Sequence, residues 1–250
     1  MGKKAQILLV AVLLLLSGAK LPDAEHIVAA SAGGEFWLWA GVHPQPALRS
    51  AHTVYLHQGE VTALACPQRA CFRALGIPVA KLTVPNLWLT LRIETLDLPP
   101  DTLKRVAVLM EHWRRAGNHV VGLQLDFDAA TRSLGEYDHF LRQVRDGLDS
   151  RYRLSVTGLL DWAQNGSVQT LNQLPVDELV IQTYQGRQTV TKYARYLPAL
   201  MALRVPFKLG LVQGGVWNDD WERRLSRSAY YRGRVVFMVN APRRANAGSG

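Results

Sequence analysis

Residues 120–128 read Val-Val-Gly-Leu-Gln-Leu-Asp-Phe-Asp. Successive side chains of a β-strand point to opposite faces. Val121, Leu123, Leu125 and Phe127 therefore form one wholly apolar face. Val120, Gly122, Gln124, Asp126 and Asp128 form the other, which turns polar toward its C-terminal end. A strand covered by helices on both sides is apolar on both faces. A strand with one apolar face and an interior that becomes polar at one end belongs in a barrel.

Other runs repeat the pattern. Leu89, Leu91 and Ile93 oppose Thr90, Arg92 and Glu94; Leu154, Val156 and Leu160 oppose Ser155, Thr157, Leu159 and Asp161. Leu179 and Ile181 oppose Val180, Gln182 and Tyr184, whereas Val235, Phe237 and Val239 alternate with Val236, Met238 and Asn240. In order, the strand-like runs are 36–40, 53–57, 88–94, 120–126, 154–159, 178–183, 207–211 and 235–239. Helical patterns cover 101–115, 134–150, 189–203 and 218–231, with a shorter one near 164–173. Strands alternating with helices imply parallel pairing through right-handed crossovers. The expected fold is α/β, a compact (β/α)8 TIM-like barrel. It is incomplete in two places: residues 60–80 carry no helical pattern, and 241–250 are too polar and short for a last helix.

The start of the chain has a different character. Lys3 and Lys4 precede the apolar run 7–16 (ILLVAVLLLL), which ends at Ser17-Gly18-Ala19. This is the order of a secretory signal peptide, and the run falls short of the ~20 apolar residues of a membrane span. The expected division is a signal peptide over 1–19, a linker over 20–34, one barrel over 35–241 and a disordered tail over 242–250. Cleavage is expected after Ala19 or near Ala32, giving a periplasmic or secreted protein without a stable membrane span. Removing Lys3 and Lys4 lowers the formal charge from +9 to +7. In an oxidising compartment Cys66 and Cys71, four residues apart in the loop sense, can form a disulfide or remain two thiols, and either role is structural.

The 250 residues are 48% hydrophobic and 20% charged, which excludes a disordered chain. The basic residues are scattered, with doublets only at Arg114-Arg115, Arg223-Arg224 and Arg243-Arg244, so no nucleic-acid partner is expected. No metal-ligand spacing, Gly-x-Ser-x-Gly, phosphate loop or dinucleotide fingerprint is present, and no metal or cofactor is expected.

In a barrel the strand ends converge on one mouth, where such folds carry their sites. Asp126 and Asp128 are the candidate catalytic pair; Trp39, Asp161, Gln182, Tyr184 and Trp217 are the candidate substrate contacts. Carboxylates beside aromatic rings suit a polysaccharide or oligosaccharide, the rings packing on sugars and the carboxyls supplying acid and base. Bland roles compete: Asp126 and Asp128 as a strand end and a helix cap, and Trp217 as a helix entry rather than a lid. Arg92 and Glu94 read as an interior charge network, His43 and His57 as polar wall, and Trp37 as core. A monomer is expected.

The segments 122–128 (GLQLDFD), 137–141 (YDHFL), 154–162 (LSVTGLLDW) and 182–186 (QTYQG) resemble the bacterial family called Domain of Unknown Function 3142. The resemblance runs from about Phe36 to Asn240. That family is similar to glycoside-hydrolase TIM barrels, and the 121–128 strand resembles a degenerate family-18 chitinase strand, Asp-Gly-x-Asp-x-Asp-x-Glu. Gly122 and Asp126 keep the pattern. Val121 and Gln124 replace two Asp residues, and Asp128 stands where the acidic Glu would be. Tyr184 falls at a sixth-strand Tyr of those enzymes, followed here by Gln185 instead of Asp. The resemblance implies Asp128 as general acid, with Asp126 orienting it and Tyr184 and Asp161 positioning the sugar. Asp is shorter than Glu by one C–C bond, about 1.5 Å, and a 1 Å misplacement can cost ~100-fold in rate. A barrel that binds envelope polysaccharide without cleaving it, or a periplasmic scaffold, is the alternative expectation.

Overall fold

The computed structural model describes residues 25–66 and 69–240. The segment 1–24 (which includes the expected signal peptide), the tail 241–250 and the side chains of Cys66 and Cys71 lie outside the described residues.

Eight parallel strands close into a barrel. They are β1 (Glu35–Leu38), β2 (Thr53–Cys66), β4 (Asn86–Ile93), β5 (Val120–Asp126), β6 (Arg153–Leu159), β7 (Glu178–Gln182), β8 (Phe207–Val212) and β9 (Tyr231–Met238). Each pairs with the next, and β1 closes the ring by pairing with both β9 and β2. The ninth strand of this sheet, β3 (Arg69–Ala74), folds back antiparallel on the long β2.

The face rule holds for most of the sheet. Leu87, Leu89, Leu91 and Ile93 of β4, Leu123 and Leu125 of β5, Leu154 and Val156 of β6, and Leu179 and Ile181 of β7 join one outer apolar cluster. Trp37, Tyr55, Trp88, Val180, Val235 and Phe237 form a separate cluster inside the barrel. On β9 both faces are apolar, so alternation alone could not orient it; Val235 and Phe237 point in, Val236 and Met238 out.

Val121 departs from the expected face. The β4–β5 register slips between Leu87–Val120 and Trp88–Gly122. That bulge sends Val120 to the outer cluster and leaves Val121 against the inner one. Gly122 follows the bulge at the tightest approach in the sheet. A Cβ there would stand 2.2 Å from the Arg153 carbonyl oxygen and 2.6 Å from the Trp88 ring. Backbone cannot yield as a flexible side chain does, so Gly122→Ala is expected to cost about 1–3 kcal/mol. A urea unfolding curve superimposable on the wild type would show that β5 tolerates the methyl.

Outside the barrel, α1 (Thr102–Arg115) buries Thr102, Val106, Met110 and Trp113 at helical spacing. Likewise α2 (Leu134–Gly147) buries Leu134, Tyr137, Phe140, Leu141 and Val144. The other crossovers are thinner: α3 (Trp162–Asn165), α4 (Val168–Gln173) and α5 (Asp220–Leu225). The helices expected over 189–203 and 218–231 are corrected by the structure. The first is a short strand, Gln188–Thr189, followed by 3-10 turns Tyr193–Arg195 and Leu197–Ala202. Pro198 at the start of the second turn has no N–H to extend an upstream helix. The second expected helix survives only as α5.

After β2 the hairpin takes the place of a helix. Its return loop is fastened by side chains instead: Asn118 accepts from the Leu82 N–H (2.8 Å) and donates to the Ala80 carbonyl (2.8 Å). Gln58 donates to the Ile77 carbonyl (3.2 Å) and accepts from the Trp113 indole N–H (3.0 Å). Residues 25–34, expected as linker, pack on the barrel. Ile27 and His26 pair with Val216 and Trp217, and Val28 is buried. Among the described residues no helix is long and apolar enough to cross a membrane.

The barrel interior is stacked in polar tiers. At the N-terminal end of the strands Lys208 Nζ donates to Glu35 Oε2 (2.5 Å) and pairs with Glu178 Oε2 (2.9 Å). The Tyr55 hydroxyl donates to Glu178 Oε1 (2.6 Å) and accepts from Lys208 (2.9 Å). One tier higher, Gln124 accepts from the Trp37 indole N–H (2.6 Å) and donates to the Ser155 hydroxyl (3.0 Å). The top tier opens into the mouth.

Candidate functional site

At the C-terminal end of β5, Asp126 is fully buried. Both of its oxygens are occupied. Oδ1 accepts from the Thr157 hydroxyl (2.6 Å) and from Gln182 Nε2 (3.1 Å), and Oδ2 accepts from Arg92 Nη1 (2.7 Å). These three partners come from β6, β7 and β4, so one carboxylate ties four strands together at the floor of the mouth.

Asp128 lies two residues on, half exposed, and accepts from the other end of the same guanidinium, Arg92 Nη2 to Oδ2 (2.8 Å). Phe127, between them, turns outward against the Tyr137 ring of α2 (5.2 Å). Arg92 thus forks across two carboxylates, the geometry for which a planar guanidinium is suited. Burial works against its charge, but the two aspartates more than offset this and raise its pKa above the usual arginine value.

Above this floor lies a cleft of about 770 Å3, lined by Trp39, Arg92, Asp128, Asp161, Gln182 and Tyr184 among others. Pockets of ~300–1,000 Å3 hold small ligands. Trp39 stacks in a tilted pair with Trp37 (4.3 Å) and meets the His57 ring edge-on (5.4 Å). Asp161 stands at the N-cap position of α3 without a side-chain capping bond, and its carboxylate accepts a long bond from Asn165 (3.3 Å). The Tyr184 ring packs on Phe237 (4.9 Å), and its buried hydroxyl has no hydrogen-bond partner among the described residues. Burial first, then the negative charges of Asp126 and Asp128, hold the Tyr184 hydroxyl well above its usual pKa, so it keeps its proton as a donor.

Trp217 is a correction. Its side chain is fully buried, stacked on Tyr193 (4.9 Å), with its indole N–H donated to Glu222 Oε1 (3.0 Å). It does not line the cleft. A tryptophan in a Gly-Gly loop reads as exposed until the pairing partner at residues 26–27 is known. His57 stays a wall residue: Nδ1 accepts from the Ala40 N–H (3.3 Å) and Nε2 faces the Gly59 carbonyl (3.0 Å). Burial lowers its pKa, partly opposed by the Gly59 bond. His43 and Asn240 close the loops after β1 and β9, the His43 N–H donating to Asn240 Oδ1 (2.8 Å).

Sequence reasoning missed Gln185, Arg187 and Tyr196 in the cleft wall. A two-residue hairpin turn over Gly186 and Arg187, with Gly186 at φ 60°, aims the first two across the mouth. The sequence carries a signal for it, since the residues flanking Gly186-Arg187 suit a tight hairpin; the expected helix begins only at Thr189, which is the end of the returning strand. Among the described residues, no group of three His, Cys, Asp or Glu could hold a metal ion.

Residues 88–192 match the family model described as "Domain of unknown function (DUF3142)". No curated protein matches the chain. The crystal structure of tamarind chitinase-like lectin is similar over 82% of this chain and 94% of that one, at 10% identity and a TM-score of 0.52. The ICChI chitinase from Ipomoea carnea aligns over 61% of this chain and 68% of its own, at 14% identity and a TM-score of 0.38. The first similarity shows a common barrel fold.

Proposed function

We propose that the chain is an exported barrel that binds a polysaccharide or oligosaccharide in its mouth without cleaving it. The observation that carries this reading is the Arg92 fork across Asp126 and Asp128. A general acid needs a proton on the oxygen that faces the leaving group. On Asp128, Oδ2 is taken up by the guanidinium, which leaves only Oδ1 for that role, and Asp126 has no exposed surface from which to meet a substrate. What remains free for a ligand is a binding set: the Trp39 and Tyr184 rings, Asp161, Gln182 and the outer half of Asp128. The tamarind protein with this fold is named as a lectin. One observation favours a hydrolase as the second reading: Asp128 and Asp161 both line the cleft, and Asp161 has no arginine partner among the described residues.

The test is a glycan array with the wild type, Trp39→Ala and Asp161→Asn. Loss of the Trp39 ring is expected to weaken binding about 10-fold or more, as for central aromatic anchors. Unchanged binding in both variants would move the glycan away from the mouth.

Export rests on the 1–19 segment. The strand His26–Ile27 and buried Val28 support cleavage after Ala19, because cutting near Ala32 would remove them. Intact-mass measurement on periplasmic protein is expected to give a chain starting at Lys20. A start near Gly33 or at Met1 would overturn that assignment.

A further inference from the structure

Beside the mouth lies a second cavity, of about 200 Å3, that the glycan reading does not use. It exists because the crossover after β2 is a hairpin and not a helix. The outward side chains Leu38, Val54 and Leu56, which a barrel helix would cover, are roofed by the loops that hold Val42 and Ile77. The lining is mostly carbon, with Thr83 among its few polar side chains. His57 is its one ionisable side chain, and both ring nitrogens of His57 are already engaged with backbone groups. Apolar cavities of about 150 Å3 stay dry and take up benzene-sized molecules, so this mostly apolar one has room for an aryl ring or a short alkyl chain.

Two features tie the cavity to the cleft. Trp39 lines both. Ile77, at the rim, leaves 44% of its surface exposed, an apolar lip rather than a sealed wall. Resting on the proposed glycan binding, we infer that the ligand is amphiphilic: its sugar occupies the cleft and an alkyl or aryl group attached to that sugar passes Trp39 into this cavity. A purely polar oligosaccharide leaves the cavity empty; a glycolipid-like or aryl glycoside fills both.

The experiment is calorimetric titration of the full exported chain with methyl β-glucoside, octyl β-glucoside below its micelle concentration, and 1-octanol. A parallel series uses Val42→Trp, which places a ring in the cavity from its partly exposed roof; Val42 does not line the cleft, and the bond from its backbone N–H to the Trp39 carbonyl is kept by the substitution. Each methylene that leaves water contributes roughly fourfold in affinity, so octyl glucoside is expected to bind at least 50-fold more tightly than methyl glucoside. Val42→Trp is expected to abolish that gain and the octanol binding, leaving methyl glucoside affinity unchanged. No binding of octyl glucoside or octanol, or a gain that survives Val42→Trp, overturns the inference. Binding of polar glycans with no octyl advantage overturns it while leaving the glycan reading intact. Octanol and octyl glucoside bound in the cavity, with no affinity for any glycan lacking the chain, would instead sink the glycan reading and keep the site.

Discussion

Lys208→Met is expected to destabilise the barrel by about 3–5 kcal/mol, because removing one partner of a buried ionic cluster leaves the others uncompensated. Glu35 and Glu178 flank Lys208 at the closed end, and all three side chains are at most 16% exposed. For a chain of this size each kcal/mol lowers Tm by roughly 2–4 °C, so the shift is about 6–20 °C. Lys208→Met combined with Glu178→Gln should recover part of the loss, since contacting residues do not add independently. The same cluster sets an alkaline limit. Burial opposes the Lys208 charge, but Glu178 and Glu35 outweigh it and raise its pKa above 10.5. A lysine raised on folding contributes stability that is complete below its unfolded value and lost as pH climbs through the folded one. Unfolding midpoints are therefore expected to fall above about pH 10.5 in the wild type, and less so in Lys208→Met. Glu35 has the same sign in a lower window: burial raises its pKa from 4.5, so on its account too stability increases as pH falls toward that range. A Lys208→Met midpoint within 2 °C of the wild type would refute the ionic description of this tier.

Arg92→Met should be the most damaging change at the mouth. It strips the cation from Asp126, which has no exposure, and frees Asp128. Because a third of Arg92 is in solvent, the buried-pair cost is discounted to about 2–3 kcal/mol. Glycan affinity is expected to fall with it, as Asp128 loses its fixed position. Asp128→Asn provides the contrast. Its carboxyl is half exposed, so the stability change should stay within about 1 kcal/mol. Equal destabilisation by the two substitutions, measured by chemical unfolding, would mean that Asp126 does not depend on Arg92.

The barrel was legible because most strands carry one unbroken apolar face under a helix layer; Leu89, Leu91 and Ile93 are enough to orient β4. The floor of the mouth followed from the same alternation, which put Asp126 and Asp128 on the face opposite Phe127. Local exceptions were not legible. The bulge at Val121 depends on the β4 register, which no single strand encodes. Residues 69–74 lack an alternation of their own and become a strand only by pairing with the overlong β2. Trp217 is buried through contacts with Tyr193 and residues 26–27, distant in sequence. The Arg92 fork needed coordinates as well: the residue types announced an interior charge network, but not that one guanidinium serves both aspartates.

The central claim is binding without hydrolysis. The most direct measurement exposes the purified wild type to a broad glycan panel and records both equilibrium binding and release of new reducing ends. The account predicts saturable binding to at least one glycan, weakened in Trp39→Ala, with no release above the buffer control. Release that Asp128→Asn abolishes, at undiminished binding, would make Asp128 a general acid and contradict it.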